Sequence, residues 1–243
     1  MTRTVFVAGA SGVIGRVLLP LLVKAGYNVY GATRHAEKLG AIEASGAIGV
    51  VLDVYDTDSL TMLNDIKPWA VVHQLTDLPR GLSPERMAQA VVNNARIRDE
   101  GTRNLVRAAC AANASVLVAQ SIAWAYQPGD MPYIETQPLD VHAQGSRCIS
   151  VCGVAALEQH VLGAQSMRGT VLRYGQLYGP YTGTDAPAGA SPVHVEAAAR
   201  AVVLALQASE GGIFNITEDC PTVSSEKAKR VLGWAADMRA PGL

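Results

Sequence analysis

Gly9, Gly12 and Gly15, in the run Gly9-Ala10-Ser11-Gly12-Val13-Ile14-Gly15, are the residues whose spacing points most directly to chemistry. Gly9 permits a tight turn, Gly12 leaves the backbone open to a close neighbour, and Gly15 lets a following helix lie near a sheet. Backbone N–H groups freed at a helix start, here around Ser11, Val13 and Ile14, attract phosphate charge. The chemistry implied is binding of a dinucleotide through its diphosphate. An ordinary glycine-rich turn is the plainer alternative; a strand before and an amphipathic helix after the motif favour the dinucleotide.

Sites selective for NAD place a carboxylate roughly 20 residues beyond the glycines, where it accepts from the ribose hydroxyl. Here the corresponding stretch ends Gly31-Ala32-Thr33-Arg34, with no carboxylate. Arg34 can instead meet a 2′-phosphate through charge-assisted hydrogen bonds, so NADP(H) is favoured over NAD(H), unless Arg34 merely opens a surface loop. Further on, Asp53, followed by Val54, can accept from an adenine amino group or cap the next helix. The backbone of Gln74, Leu75 and Thr76 can border the ribose and diphosphate.

These residues need a scaffold, and the apolar pattern supplies one. Strand-like runs are expected at 4–8, 28–33, 48–52, 70–74, 115–120 and 170–174, alternating with helical stretches at 13–25, 35–45, 59–66 (after Asp58 as a cap), 84–112 and 151–166. Strands apolar on both faces and alternating with helices predict an α/β fold, a Rossmann-type doubly wound parallel sheet. Residues 122–147 and 176–192 are rich in Gly, Pro and polar residues and follow predicted strands, which makes them the expected substrate-facing segments. A helix at 196–207, a strand at 213–216 and a short helix at 225–232 complete the pattern, with no repeat or linker.

Of the 243 residues, 49% are hydrophobic and 17% charged, enough to fill a core and incompatible with intrinsic disorder. One domain over 1–243 is expected. The net charge of −1 gives no field to hold a polyanion, so neither nucleic acid nor a membrane surface is an expected partner. No apolar run reaches the ~18 residues of a spanning helix. A small molecule is the expected partner, and a homodimer is left open. Four cysteines without a CxxC pair, and no secretory leader, point to a reduced, cytoplasmic setting. The five histidines have no metal-binding spacing, and no GxSxG elbow surrounds Ser121, so neither a metal site nor a hydrolase triad is expected. Arg96, Arg98, Arg103 and Arg107 read as a solvated helix face, or as contacts to a cofactor phosphate or a partner subunit.

With these residues in hand, the chain resembles extended short-chain dehydrogenases/reductases, in particular the NAD-dependent epimerase/dehydratase family, almost end to end. The likeness is carried by the glycine run, by Val71-Val72-His73-Gln74-Leu75, Gly101-Thr102-Arg103-Asn104-Leu105, Leu172-Arg173-Tyr174-Gly175-Gln176-Leu177-Tyr178-Gly179-Pro180, Val193-His194-Val195-Glu196 and Leu232-Gly233-Trp234. The resemblance implies NAD or NADP as cofactor with Tyr174 beside it, and a small C-terminal substrate region, here reduced to 176–192 and 218–243. It also implies a hydroxyl or carbonyl substrate, often a sugar nucleotide. Catalysis in the family uses a YxxxK pair with a serine after the fifth strand.

Ser121 matches that serine, but the pair is missing. In one register its places hold Cys152 and Ala156, in the other Ser150 and Val154, and the chain has no lysine between Lys67 and Lys227. Cys152 is too short to replace a phenol and reads as a small buried core residue. Tyr126 and Tyr133 remain as candidate acids, each alternatively a packed loop anchor, with Arg147 or Arg173 as a substitute cation. Two functions are open to such a chain: an atypical NAD(P)-dependent reductase, epimerase or dehydratase, or a cofactor-binding sensor without turnover.

Overall fold

The computed structural model describes residues 2–78 and 84–239; the last four residues of the expected segment 218–243 lie outside the described residues. Seven parallel strands form the central sheet: β1 (Thr4–Ala8), β2 (Asn28–Thr33), β3 (Ile48–Val51), β4 (Ala70–His73), β5 (Val116–Ile122), β6 (Arg168–Tyr174) and β9 (Gly212–Ile216). They run in the order β3-β2-β1-β4-β5-β6-β9. The chain reverses its direction of winding between β1 and β4, and a sheet wound this way opens a ligand crevice beyond the carboxyl ends of those strands. The glycine turn after β1 and Gln74 after β4 stand at that point. A separate pair, β7 (Gln176–Tyr178) with β8 (Pro192–His194), brackets the shortened loop after β6.

Alternate residues of the strands feed two cores. Val5, Val7, Val72 and Val118 pack with α1 (Val13–Lys24) and α7 (Val195–Gln207), while Phe6, Ala8, Val71 and Leu117 face the layer holding α3 (Met62–Ile66), α5 (Thr102–Ala111) and α6 (Gly145–Leu162). On α1, Leu18, Leu19 and Leu22 are essentially fully buried, each contributing about 1.5–3 kcal/mol by burial. The buried face of α7 is largely alanine, which lets it lie close to α1. After α8 (Glu226–Leu232), the left-handed Gly233 turns the chain so that the indole N–H of Trp234 donates to the Ala197 carbonyl at 2.8 Å. Among the described residues no helix is long and apolar enough to cross a membrane.

Four local expectations are corrected. Residues 35–45 form a 3-10 turn followed by a short α2 (Leu39–Glu43) rather than one helix. Asp58 does not cap the helical segment after it; Asp56 accepts from the N–H groups of Asp58 and Ser59. α6 starts at Gly145 rather than Val151, because Gln144 is extended and the turn 145–150 is already helical. The single helix expected over 84–112 is α4 (Pro84–Arg96), a π turn at Ile97–Gly101, and α5. A π turn inserts residues into the α-helical register and rotates the helix beyond it.

Candidate functional site

The turn from β1 into α1 is built by close approach. Gly9 has φ +88°, and a Cβ there would lie 2.5 Å from the Gln74 carbonyl oxygen, so only glycine lets β1 and the segment after β4 meet. At Gly15 a Cβ would lie 2.4 Å from the Ala10 carbonyl oxygen. Gly12 is exposed, and its hypothetical Cβ meets only the Gly9 carbonyl, at 3.2 Å. No side chain caps the N-terminus of α1, so its first N–H groups are presented outward at the crevice. The N–H groups of Gly9 and Ala10 donate to the Ala32 carbonyl, and Ser11 bonds Thr33 through their hydroxyls at 3.0 Å, tying the cradle to the end of β2.

Arg34, exposed at the end of β2, donates to Asp77 at 2.7 Å and thereby spans from the β2 edge to the segment after β4. Asp53 accepts from the Tyr55 N–H, an Asx turn rather than a helix cap. Val54 is buried, Leu75 half-buried and Thr76 exposed. Deeper in, the amide of Gln74 and the phenol of Tyr174 are buried and, among the described residues, have no hydrogen-bond partner of good geometry. Burial pushes the Tyr174 phenol far above its ordinary range, only weakly opposed by the nearby Gln74 amide. Buried polar groups are rarely left unpaired, so these two, flanking the crevice behind an uncapped helix start, fit a polar ligand such as a dinucleotide. The residues that would hold one are the 9–15 turn, the end of β2 and this Gln74–Tyr174 pair.

On the opposite face of the sheet, α6 carries both registers of the missing pair. Cys152 is exposed, correcting its reading as a core residue; Ser150 and Ala156 are half-buried and Val154 is buried, so neither register of the pair carries a tyrosine or a lysine. Val154 is fully buried beside Ala125 and Val151. One turn further along, Glu158 forms a buried ion pair with Arg173 at 2.7 Å and accepts from the Ser121 hydroxyl at 3.0 Å. Burial alone would lower the Arg173 pKa, but its two bonds to Glu158 outweigh that and raise it. Ser121 thus sits within β5, buried, with its hydroxyl committed to a carboxylate. Arg98 is likewise not on a solvated face: the π turn buries it to 9% exposure, where it donates to Ser150. Burial lowers its pKa to about 10, partly opposed by the field of Glu158. Arg96 does face solvent, paired with Glu100.

Beyond the carboxyl ends of β5 and β6 lies a cavity of about 200 Å³. Tyr126 and Tyr133 stack along it, ring centroids 5.1 Å apart and 9° from parallel. The Tyr126 hydroxyl donates to Asn215 on β9 at 2.6 Å, and burial raises its pKa. The Tyr133 oxygen accepts from the Gly129 N–H, while its backbone pairs with Thr222 and Ser224 of the tail. Arg147 and Trp124 complete the wall. A larger open depression of about 670 Å³ surrounds Trp69 at the amino ends of the strands, across the sheet from the glycine turn. Its distance from the crevice and its openness leave it out of the site. Among the described residues no cluster of His, Cys, Asp and Glu could hold a metal.

A sequence profile for the NAD-dependent epimerase/dehydratase family matches residues 5–192. The chain belongs to that family. A family relative, the 3-diazoavenalumate denitrifying reductase of a Streptomyces species, is 37% identical over 245 residues, covering 91% of this chain and 78% of the relative. The epimerase/dehydratase fold is equally plain in solved structures. UDP-glucose 4-epimerase of Thermotoga maritima, with UDP-glucose, superposes with a TM-score of 0.79 at 17% identity, over 97% of this chain and 94% of the other. The Brucella ovis enzyme in complex with NAD gives 0.76 at 18%, with the same coverages. At such identities the likeness concerns the fold: a seven-stranded parallel sheet flanked by helices.

Three features of this family member escaped the sequence reading: the Glu158 ion pair, the burial of Arg98 and the place of Arg16. Glu158 had a signal, since Arg173 inside an apolar strand demands a buried acid. Arg98 had none, because the π turn interrupts no periodicity. Arg16, whose guanidinium lies 5.2 Å from the Tyr181 ring centroid and whose Nε donates to the Ser11 carbonyl, borders the cradle and is visible only in three dimensions.

Proposed function

We propose that this family member is a nicotinamide-dependent reductase that removes a diazo group from a small aromatic substrate, with NADP(H) preferred. The observation that carries this reading is that α6 holds neither tyrosine nor lysine in either register, Cys152 with Ala156 or Ser150 with Val154, and that no lysine between Lys67 and Lys227 can take over. A carbonyl that gains a hydride needs a proton, which in a YxxxK enzyme the tyrosine gives. An arene diazonium group that gains a hydride becomes an arene hydrogen and dinitrogen, with no net proton consumed. That reaction class suits a site without the pair, and the relative's name describes a diazo substrate and a denitrifying reduction.

The bound nicotinamide would supply the hydride. The residues around it have separate tasks. The N–H groups of Ser11, Val13, Ile14 and Gly15 hold the diphosphate, which Gly9 and Gly12 let approach by lacking side chains; Thr33 and Arg34 meet the 2′-phosphate; Asp53 and Val54 flank the adenine. Gln74, Leu75, Thr76 and Tyr174 line the path to the nicotinamide. Ser121 steadies Glu158, Tyr126 forms the floor of the substrate cavity, and Tyr133, the one phenol of the two that donates to no protein atom, is the proton donor if one is required. Segments 176–192 and 218–239 form a reduced substrate region. A 200 Å³ cavity falls below the ~300 Å³ at which pockets for drug-sized ligands begin, which favours a single-ring substrate over a sugar nucleotide.

The test supplies NADPH or NADH with 3-diazoavenalumate carrying labelled nitrogen, beside aldehydes, ketones and UDP-glucose. Nicotinamide absorbance and labelled dinitrogen are followed together. Equal consumption of NADPH and release of dinitrogen is expected. Turnover of a carbonyl or sugar nucleotide without dinitrogen release overturns the proposal. Cofactor binding with no turnover of any substrate favours a sensor, the reading that the missing pair also supports.

A further inference from the structure

We propose that the cavity beside Tyr126 and Tyr133 recognises the carboxylate of a flat aromatic acid, with Arg147 as its anion-binding residue. This rests on the reductase reading above and names the substrate class that its site would take.

Charge decides first. Among the residues lining the cavity Arg147 alone is charged, and no carboxylate joins it there. Apart from Ser191 and Thr222, whose hydroxyls are already bonded within the protein, the other walls are apolar or aromatic, so a neutral sugar would leave most of its hydroxyls unpaired. Donor counting sharpens the point. Thr222 donates its hydroxyl to the Ala190 carbonyl at 2.6 Å, the Ser191 hydroxyl and N–H both meet the Gln176 side-chain oxygen, and the Tyr126 hydroxyl is held by Asn215. Of the five N–H groups of a guanidinium, Arg147 commits one from Nε to Asp140 at 2.6 Å, one from Nη1 to the Trp124 carbonyl at 3.2 Å and one from Nη2 to the Tyr126 carbonyl at 2.8 Å. One N–H on each Nη stays uncommitted among the described residues, and with the Tyr133 hydroxyl proton and the Trp124 indole N–H they are the side-chain donors left to a ligand. A cavity whose spare groups are donors selects a ligand rich in acceptors.

Geometry supplies the rest. Two backbone carbonyls and Asp140 fix the guanidinium from three sides, so little order is lost when an anion arrives. The parallel Tyr126 and Tyr133 rings make a flat wall on which an arene packs. Trp124 leaves 42% of its surface exposed beside Arg147, an indole that a bound ring would cover.

The test uses 4-hydroxycinnamate and its methyl ester, neither of which carries a diazo group, so binding is read whether or not the enzyme turns over a diazo substrate. Affinities are measured by calorimetry on the NADP⁺-loaded protein, with quenching of tryptophan fluorescence as a second readout. The acid should bind at least tenfold more tightly than the ester. Arg147→Gln should abolish that difference and leave the ester's affinity unchanged. Asp140→Asn breaks the same ion pair but removes a repelling charge, so it should keep or increase affinity for the acid. If Arg147 merely braced the loop, both variants would weaken both ligands alike. That result, equal binding of acid and ester, or no binding of either, overturns the proposal.

Discussion

Arg98 Nη1 donates to the Ser150 hydroxyl at 3.2 Å, so a buried guanidinium stands against a half-buried hydroxyl of α6. It is paired with no carboxylate by a hydrogen bond, whereas Arg173 nearby is bound through two nitrogens to Glu158. Neutralising a member of the Arg173–Glu158 pair should therefore cost far more than neutralising Arg98.

Removing one partner of a buried ion pair strands the other, so Glu158→Gln should cost about 3–5 kcal/mol, while Arg98→Met, which removes a buried cation without stranding an acid, should change stability by about 1 kcal/mol or less. Denaturant unfolding of the two variants checks this. Equal losses would mean that Arg98 contributes more to the fold than its neutral partners imply.

The glycines separate binding from folding. Gly12→Ala places a methyl group where a diphosphate would approach and meets only the Gly9 carbonyl oxygen, at 3.2 Å, so it should lower NADPH affinity at least tenfold while costing less than about 1 kcal/mol of stability. Gly15→Ala drives a Cβ into the Ala10 carbonyl at 2.4 Å and should cost about 2 kcal/mol or more as well. Fluorescence titration and urea unfolding of both variants read the difference; a Gly12→Ala protein that binds NADPH normally would remove the diphosphate from this turn.

Arg34→Ala should weaken NADPH about tenfold, the low end for a charge-assisted contact at a half-open site, and leave NADH unaffected. Asp77→Asn frees Arg34 from its 2.7 Å ion pair and should favour NADPH further. Parallel losses for both cofactors in Arg34→Ala would show that Arg34 does not read the 2′-phosphate.

Acid should loosen the crevice through His73. Its Nδ1 accepts from the Leu75 N–H at 3.2 Å, so the ring proton sits on Nε2, facing Thr102 at 2.9 Å. Burial lowers the pKa to about 4, its own backbone hydrogen bond opposing and the Arg98 charge adding to the effect. The folded value lies below the unfolded 6.5, so this contribution is complete above about pH 6.5 and is lost as pH falls towards 4, a loss of roughly 3 kcal/mol. Urea unfolding across this range should show the decline, and His73→Gln should flatten it. An identical slope in the variant assigns the acid sensitivity elsewhere.

The sheet was legible because parallel strands buried on both faces read as continuous apolar runs: β2 falls at the expected residues and β4 within one. The glycine turn was legible for the same local reason. What escaped depends on contacts distant in sequence. Gly145 to Ser150 are largely polar and show no helical period, yet they fold as the first turns of α6. Cys152 looked like a core residue by type, but the inward face is set by Gly153, where a Cβ would lie 2.8 Å from the Ala95 Cα, and by Val154. Tyr126 finds its partner in Asn215, on the far strand β9, and no local pattern announces that.

The π turn at Ile97–Gly101 also marks sequence length. Deleting one residue within it would restore a plain α-helix and swing the following side chains by ~100° about the axis. A different residue would then point at Ser150. Homologous chains can accordingly be sorted by a single insertion or deletion between Asn94 and Thr102, a feature an alignment displays before any coordinates exist, and one that separates proteins delivering a guanidinium to that spot from those that turn it towards water.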